Sequence, residues 1–157
     1  MDDRFNWARL KSLQLGKYAE YLVKMEFVLL GCDVFSSEVD GHGIDLVIRT
    51  RGSKRRFDIQ VKSYRPPNSY VFAPKAKFEI SPQSLLAVVQ FVEEKAPVLF
   101  LIPSCVHGQP NTIFESRDYE GKNSKPEWGL TLSKKKMAEL MGDFSFSKQV
   151  LRLETAQ

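Results

Sequence analysis

Arg56-Phe57-Asp58-Ile59-Gln60-Val61-Lys62-Ser63-Tyr64 is the stretch that decides the fold. Side chains on a strand repeat every two residues, so Phe57, Ile59 and Val61 fall on one face and Asp58, Gln60 and Lys62 on the other. That alternation predicts a half-buried strand presenting a row of polar groups. Just upstream, Ile44 to Thr50 (IDLVIRT) is β-rich, follows the turn signal Asp40-Gly41-His42-Gly43, and runs into a second turn at Arg51-Gly52-Ser53-Lys54. Two strands joined so closely form an antiparallel hairpin, which brings Asp45 beside Gln60-Val61-Lys62.

Working toward the N-terminus, Asn6 to Leu30 carries Leu15, Tyr18, Leu22, Met25 and Leu29 at helical spacing, with no proline and one internal glycine. The spacing predicts one helix, or two joined at Gly16, stopped by Gly31 and followed by a short strand over 33–39. Toward the C-terminus, Pro66-Pro67-Asn68-Ser69 ends the polar-row strand, and a strand-like segment follows at 70–80. Ser81-Pro82 has the form of an N-cap and first helical residue, which predicts an apolar helix to about Lys95. Val98 to Ile102 (VLFLI) has the composition of a strand buried on both faces. Shorter strands are expected at 112–116 and 128–132, and a last helix at 134–141 after Ser133. The order predicts an α/β domain with a mixed central sheet flanked by helices.

A chain of 157 residues and 18.0 kDa fits one domain with a core of its own. Its longest apolar runs are far below the roughly 20 residues of a membrane span. The first residues lack the basic and apolar regions of a signal peptide, so a cytoplasmic home is expected. Cys32 and Cys105 show no metal-binding spacing and are expected as buried thiols.

Charge is distributed unevenly. Between residues 49 and 77 stand nine basic side chains (Arg49, Arg51, Lys54, Arg55, Arg56, Lys62, Arg65, Lys75, Lys77) against one acid, Asp58, whereas the rest of the chain is net acidic. A polyanion is the simplest partner for such a segment, and a solvated hairpin tip is the plain alternative.

Asp45, Gln60 and Lys62 are the residue types that metal-assisted phosphodiester hydrolysis uses: oxygen ligands for a hard divalent cation, and an ammonium to stabilise charge on the attacking water or the phosphorane. Glu20 completes the ligand ring where the first helix packs beside the strand ends. Gly16-x-x-x-Glu20, Gly43-Ile44-Asp45-Leu46-Val47 and Asp58-Ile59-Gln60-Val61-Lys62-Ser63 together resemble the PD-(D/E)xK nuclease superfamily, especially archaeal Holliday-junction resolvases and intron-associated homing endonucleases. The resemblance covers the first 65 residues. It implies a restriction-endonuclease-like αβββαβ core and Mg²⁺ (or Mn²⁺) held by Asp45 and Gln60. It further implies Lys62 near the nucleophilic water, with Glu20 as ligand or base. The expected substrate is duplex or branched DNA, contacted by Arg49, Arg51, Lys54, Arg55, Arg56, Arg65, Lys75 and Lys77, and the expected assembly is a homodimer or larger.

Gln60 departs from the pattern, since most of the superfamily has Asp or Glu there. An amide oxygen still coordinates Mg²⁺ but supplies no negative charge. Two readings follow: a metal-dependent DNA endonuclease, or a catalytically impaired nucleic-acid-binding or scaffold domain of the same fold. Asp58 shares the strand face of Gln60 and is a candidate helper. His42 in the turn and the Lys134-Lys135-Lys136 run are secondary candidates for DNA contact. His107, close to Ser104 and Cys105 in sequence, has no spacing that marks a catalytic group.

Overall fold

The computed structural model describes residues 3–38 and 41–156. Val39 and Asp40, which complete the expected first strand and open the expected turn, lie outside the described residues. Two short 3-10 turns, Asp3–Phe5 and Trp7–Arg9, precede the first helix, α1, Ser12–Leu29. Helix α1 runs unbroken through Gly16, so the segment from Asn6 is neither one helix nor two joined there. The buried face of α1 is Leu15, Ala19, Val23 and Phe27, an i, i+4 row. Tyr18, Met25 and Leu29, expected on that face, are exposed. Small Ala19 lets the helix lie close on the sheet, and this sets which row turns inward.

Five strands follow the helix as the central sheet: β1 Asp33–Ser36, β2 Leu46–Arg49, β3 Arg56–Tyr64, β5 Ser84–Gln90 and β6 Val98–Pro103, in spatial order β1-β2-β3-β5-β6. The first pairs are antiparallel, β3 and β5 are parallel, and β5 and β6 are again antiparallel. The mixed sheet is as the sequence predicts, but β5 occupies the segment expected as a helix at 81–95. Leu85 to Val89 are buried without a break, and a fully buried strand and a buried helix look alike in such a run. Ser81 opens a turn and not a helix: its carbonyl accepts from Ser84 N at 3.1 Å and its Oγ from Gln83 N at 3.3 Å.

A second sheet of three strands, β4 Tyr70–Pro74, β8 Glu127–Thr131 and β7 Phe114–Arg117, lies in the order β4-β8-β7. The crossover from β3 to its parallel neighbour β5 therefore passes through β4 and a 3-10 turn at Lys75–Lys77. Helix α2 covers Lys134–Phe144, and a third helix, α3, Phe146–Thr155, follows where no helix was expected. The central sheet thus separates two cores. On one side Leu46, Ile48, Phe57, Ile59, Ala87 and Val89 pack against α1 and against Phe146 and Val150 of α3. On the other, Tyr64, Leu86, Val88, Phe100 and Ile102 pack against the second sheet and Leu140 of α2. No helix among the described residues is long and apolar enough to cross a membrane.

Candidate active site at the fork between two strands

Pairing between β2 and β3 begins at Leu46 opposite Ile59 and continues toward the hairpin tip. Asp45 stands one residue ahead of β2 and not within it. Its N–H donates to Ile59 O at 2.9 Å. Past that bond the two chains part, and β3 would be left with an open edge. The Asp45 side chain closes it: Oδ2 accepts from Val61 N at 2.6 Å. A charged acceptor on a backbone N–H is among the stronger hydrogen bonds, so the carboxylate is fixed in the opening of the fork. On its other edge β3 stays paired with β5 throughout Asp58 to Tyr64, so the strand that carries Gln60 and Lys62 is rigid.

Phe57 and Ile59 belong to the core under α1, and strand alternation puts Gln60 and Lys62 on the opposite face with Tyr64. Gln60 is buried, 6% exposed, and its Oε1 has no hydrogen-bond donor among the described residues. Buried amide oxygens are rarely left in that state, and each one needs an explanation. The amide lines a cavity of about 260 Å³ bounded by His42, Gly43, Ile44, Asp58, the Lys75–Glu79 segment and Ser84. Gly43 is required here. It has φ +74°, and a Cβ on it would stand 2.5 Å from the Lys77 carbonyl oxygen and 3.1 Å from Gln60 Nε2. The turn before Asp45 is thereby pressed against both Gln60 and the 3-10 turn, which ties the two expected ligands to one short segment. Lys62 is half-buried, and among the described residues no hydrogen bond or ion pair engages its ammonium.

Glu20 arrives from α1, the layer on the far side of the sheet. It is held by Lys17, one helical turn earlier, whose Nζ donates to Glu20 Oε2 at 2.6 Å. The hydrogen bond to Glu20 and then its charge hold the Lys17 ammonium above the usual lysine range, and the Asp45 carboxylate adds to the effect. Lys17 was missed from sequence, although its i, i+3 spacing to Glu20 is the signal of a helical ion pair.

The basic segment divides into two groups. Lys75 and Lys77 lie at the cavity, where the Lys75 ammonium bonds Ser116 Oγ at 2.6 Å and Asp118 Oδ1 at 2.7 Å and sits 4.0 Å from the Trp128 ring centroid. Arg49, Arg51, Lys54, Arg55 and Arg56 cluster at the hairpin tip, about five residues and so roughly 17 Å along the strands from Asp45 and Gln60. Arg49 pairs with Asp33 at 2.6 Å, and Arg55 lies over the Phe57 ring. Arg65 donates to Trp7 O at 3.0 Å. The tip is latched and not free, because Glu154 of α3 accepts from Arg51 N at 2.8 Å and Gly52 N at 2.5 Å.

The remaining candidates separate cleanly. His42 lines the cavity. His107 is buried against Phe78, Phe114 and Trp128, and neither of its ring nitrogens has a hydrogen-bond partner among the described residues. Cys32 is buried, its thiol pushed up to about 11 by desolvation, whereas Cys105 is exposed on a 3-10 turn, contrary to expectation.

The donor set fits a hard cation in one limited sense. No three His, Cys, Asp or Glu side chains among the described residues converge as a metal cluster. The fork presents the Asp45 carboxylate and the Gln60 amide oxygen, which has no donor among the described residues, and Glu20 stands on α1 paired with Lys17. Mg²⁺ usually keeps several waters and takes one or two carboxylates, so such a set is sufficient for it.

No protein-family model and no curated protein matches the chain. Solved structures do. The bacterial homing endonuclease I-Ssp6803I superposes with a TM-score of 0.59 at 16% identity, over 94% of this chain and 97% of that one. Hjc, a Holliday junction resolvase from the archaeal hyperthermophile Archaeoglobus fulgidus, superposes with a TM-score of 0.50 at 13% identity, over 87% and 95%. The chain has the restriction-endonuclease-like fold of these nucleases.

Proposed function

We propose that the protein is a metal-dependent DNA endonuclease whose site is the fork between β2 and β3. The observation that carries this reading is the Asp45 carboxylate, pinned by Val61 N–H in the opening of the fork, beside the Gly43 turn that is pressed against a buried Gln60 amide whose oxygen has no donor among the described residues. Asp45, Gln60 and Glu20 would hold Mg²⁺ or Mn²⁺. When bound, the cation supplies Lewis-acid polarisation of the phosphodiester and a water acidic enough to attack at neutral pH.

The chain's own groups supply the rest. Lys62 is positioned by a strand paired with β5 from Asp58 to Tyr64, and its ammonium, unengaged among the described residues, is placed to offset charge on a phosphate oxygen. Lys77 and His42 border the cavity beside Gln60 and would bind the flanking backbone. Both structural neighbours are named for work on DNA, a homing endonuclease and a junction resolvase, which supports DNA as the substrate class. A chain of this size presents one such site, so cutting two strands calls for a second copy, and we propose that the working form is a homodimer or larger.

Incubation of purified protein with plasmid, single-stranded and branched DNA in Mg²⁺ or Mn²⁺ tests the reading. Cleavage is expected, and Asp45→Asn or Lys62→Ala should each lower the rate by at least 100-fold. Intact DNA in every case would overturn it. A specific observation favours one alternative, a domain of the same fold that binds DNA without cutting: no three acidic, histidine or cysteine side chains among the described residues converge as a metal cluster. In that case both variants bind DNA like the parent and there is no cleavage to lose.

A further inference from the structure

We infer that the outer face of α1 is the surface through which two copies of this chain pair, helix against helix and antiparallel. The inference names the contact behind the homodimer proposed above and rests on that reading. Tyr18, Tyr21, Met25 and Val28 follow one another at intervals of three, four and three residues, the repeat by which one helix seats its side chains into another. At helical periodicity this row lies opposite the buried Leu15, Ala19, Val23 and Phe27, so α1 is apolar on two sides. The four side chains are 40%, 56%, 58% and 60% exposed, and Leu29 beside them is 76% exposed. Two anchors of the row are already ordered. The Tyr18 ring packs against Trp7 and Phe91, with centroids 5.3 and 5.9 Å away. Tyr21 lies between the ammonium groups of Lys17 and Lys24, at 5.9 and 5.7 Å. Rings held in the single chain lose little freedom on docking.

The size and the order of the row identify its occupant. These five side chains leave roughly 600 Å² open, at the upper end of what a monomer exposes as one patch. Two copies would bury about 1,200 Å², the lower limit of a stable, specific interface. The row runs aromatic, aromatic, thioether, aliphatic, which makes it complementary to its own reverse. Antiparallel pairing about a two-fold axis level with Val23 sets Tyr18 of each copy against Val28 of the partner subunit, and Tyr21 against Met25 of the partner subunit. Each ring then meets an aliphatic or thioether group, whereas parallel pairing would set like on like. Lys17 and Lys24 border the row, where their stems cover apolar surface and their ammonium groups stay in water. Helix α1 covers the sheet face opposite the one that carries Gln60 and Lys62, so this pairing leaves both forks open to DNA.

Sedimentation velocity of the full chain over a range of concentrations tests the contact. The parent should dimerise, and Tyr21→Glu and Met25→Glu should each weaken the dimer by at least about 100-fold, since each puts two unpaired carboxylates into the contact. Leu151→Glu, at an exposed apolar position on α3, should leave the dimer unchanged. A second measurement does not depend on a loss. In a Cys105→Ser background, which removes the exposed thiol, a chain carrying both Tyr18→Cys and Val28→Cys should form a covalent dimer on mild oxidation, and a chain carrying either alone should not. In a parent that dimerises, parent-like dimers of both glutamate variants, or no covalent dimer from the double cysteine chain, would overturn the contact and leave the homodimer standing. Covalent dimers from the single cysteine chains would overturn the antiparallel order. A Tyr21→Glu chain that keeps the dimer but loses affinity for duplex DNA would overturn the inference in favour of DNA on this face. A monomeric parent would remove the homodimer and this inference with it, and leave the chemistry of the fork untouched.

Discussion

Gly43 shows how one residue can hold a site together without chemistry of its own. Its φ of +74° lies where an L side chain is strained, and an added Cβ would stand 2.5 Å from the Lys77 carbonyl oxygen and 2.9 Å from Lys77 Cβ. Backbone cannot give way as a side chain can, so Gly43→Ala must move the 40s turn or the Lys75–Lys77 turn. Either shift separates Asp45 from Gln60. A loss of about 1–3 kcal/mol in urea unfolding is expected, together with a weaker Mn²⁺-induced shift in Tm. Ala substituted at Gly142, in helix α2 where an added Cβ meets nothing within 4 Å, is the control: it should raise stability by up to about 1 kcal/mol and leave the Mn²⁺-induced shift in Tm unchanged. The sequence makes Gly43 visible as a turn former. The close approach that makes it necessary is not visible, because Lys77 lies 34 residues away and on a different element.

At the scale of elements, the second sheet creates an environment that local sequence does not announce. His107, on the 3-10 turn Ser104–Gly108, is 1% exposed, and neither ring nitrogen has a hydrogen-bond partner among the described residues. Phe78, Phe114 and Trp128 surround it, and this burial lowers its pKa to about 4 from 6.5. The unfolded chain therefore binds a proton in this range that the folded chain refuses. Stability from this group is complete above about pH 6.5 and falls as the pH drops toward 4, by up to about 3 kcal/mol. Urea unfolding at pH 7.5, 6.0 and 5.0 should show that loss, and His107→Leu should flatten it over the same range. Two other elements mark the limit of what the sequence alone discloses. The run Leu85 to Val89 is compatible with helix or strand, and only its pairing with β3 and β6 makes it β5. Helix α3, by contrast, carried a usable signal in Phe146, Val150 and Leu153, an i, i+4, i+7 row that does pack against the first core. The polar-row strand was legible to the residue, since alternation depends on a single strand and needs no knowledge of its neighbours.

Across the whole molecule the surplus of positive charge from residues 49 to 77 is folded into two places. Lys75 and Lys77 border the cavity at one end of the hairpin, and Arg51, Lys54 and Arg55 surround the tip at the other, where Glu154 holds the backbone to α3. Because that latch engages backbone N–H groups, the tip side chains keep their charges for other uses. A duplex laid across the fork would meet both groups, the near one at the scissile phosphate and the far one about 17 Å along the strands. Each neutralised phosphate contributes close to 0.9 to the slope of log K against log salt for duplex DNA. Replacing Arg51 and Lys54 together by glutamine should therefore reduce that slope by about 1.8, measured by fluorescence anisotropy between 50 and 200 mM salt. Cleavage at saturating protein should persist, since neither residue belongs to the fork. A slope equal to that of the parent would confine DNA to the cavity end and leave the tip charges as a solvated surface. A loss of cleavage at saturation would instead mean that the tip helps to bend or seat the strand at the fork, and that the two basic groups act on one substrate as a unit.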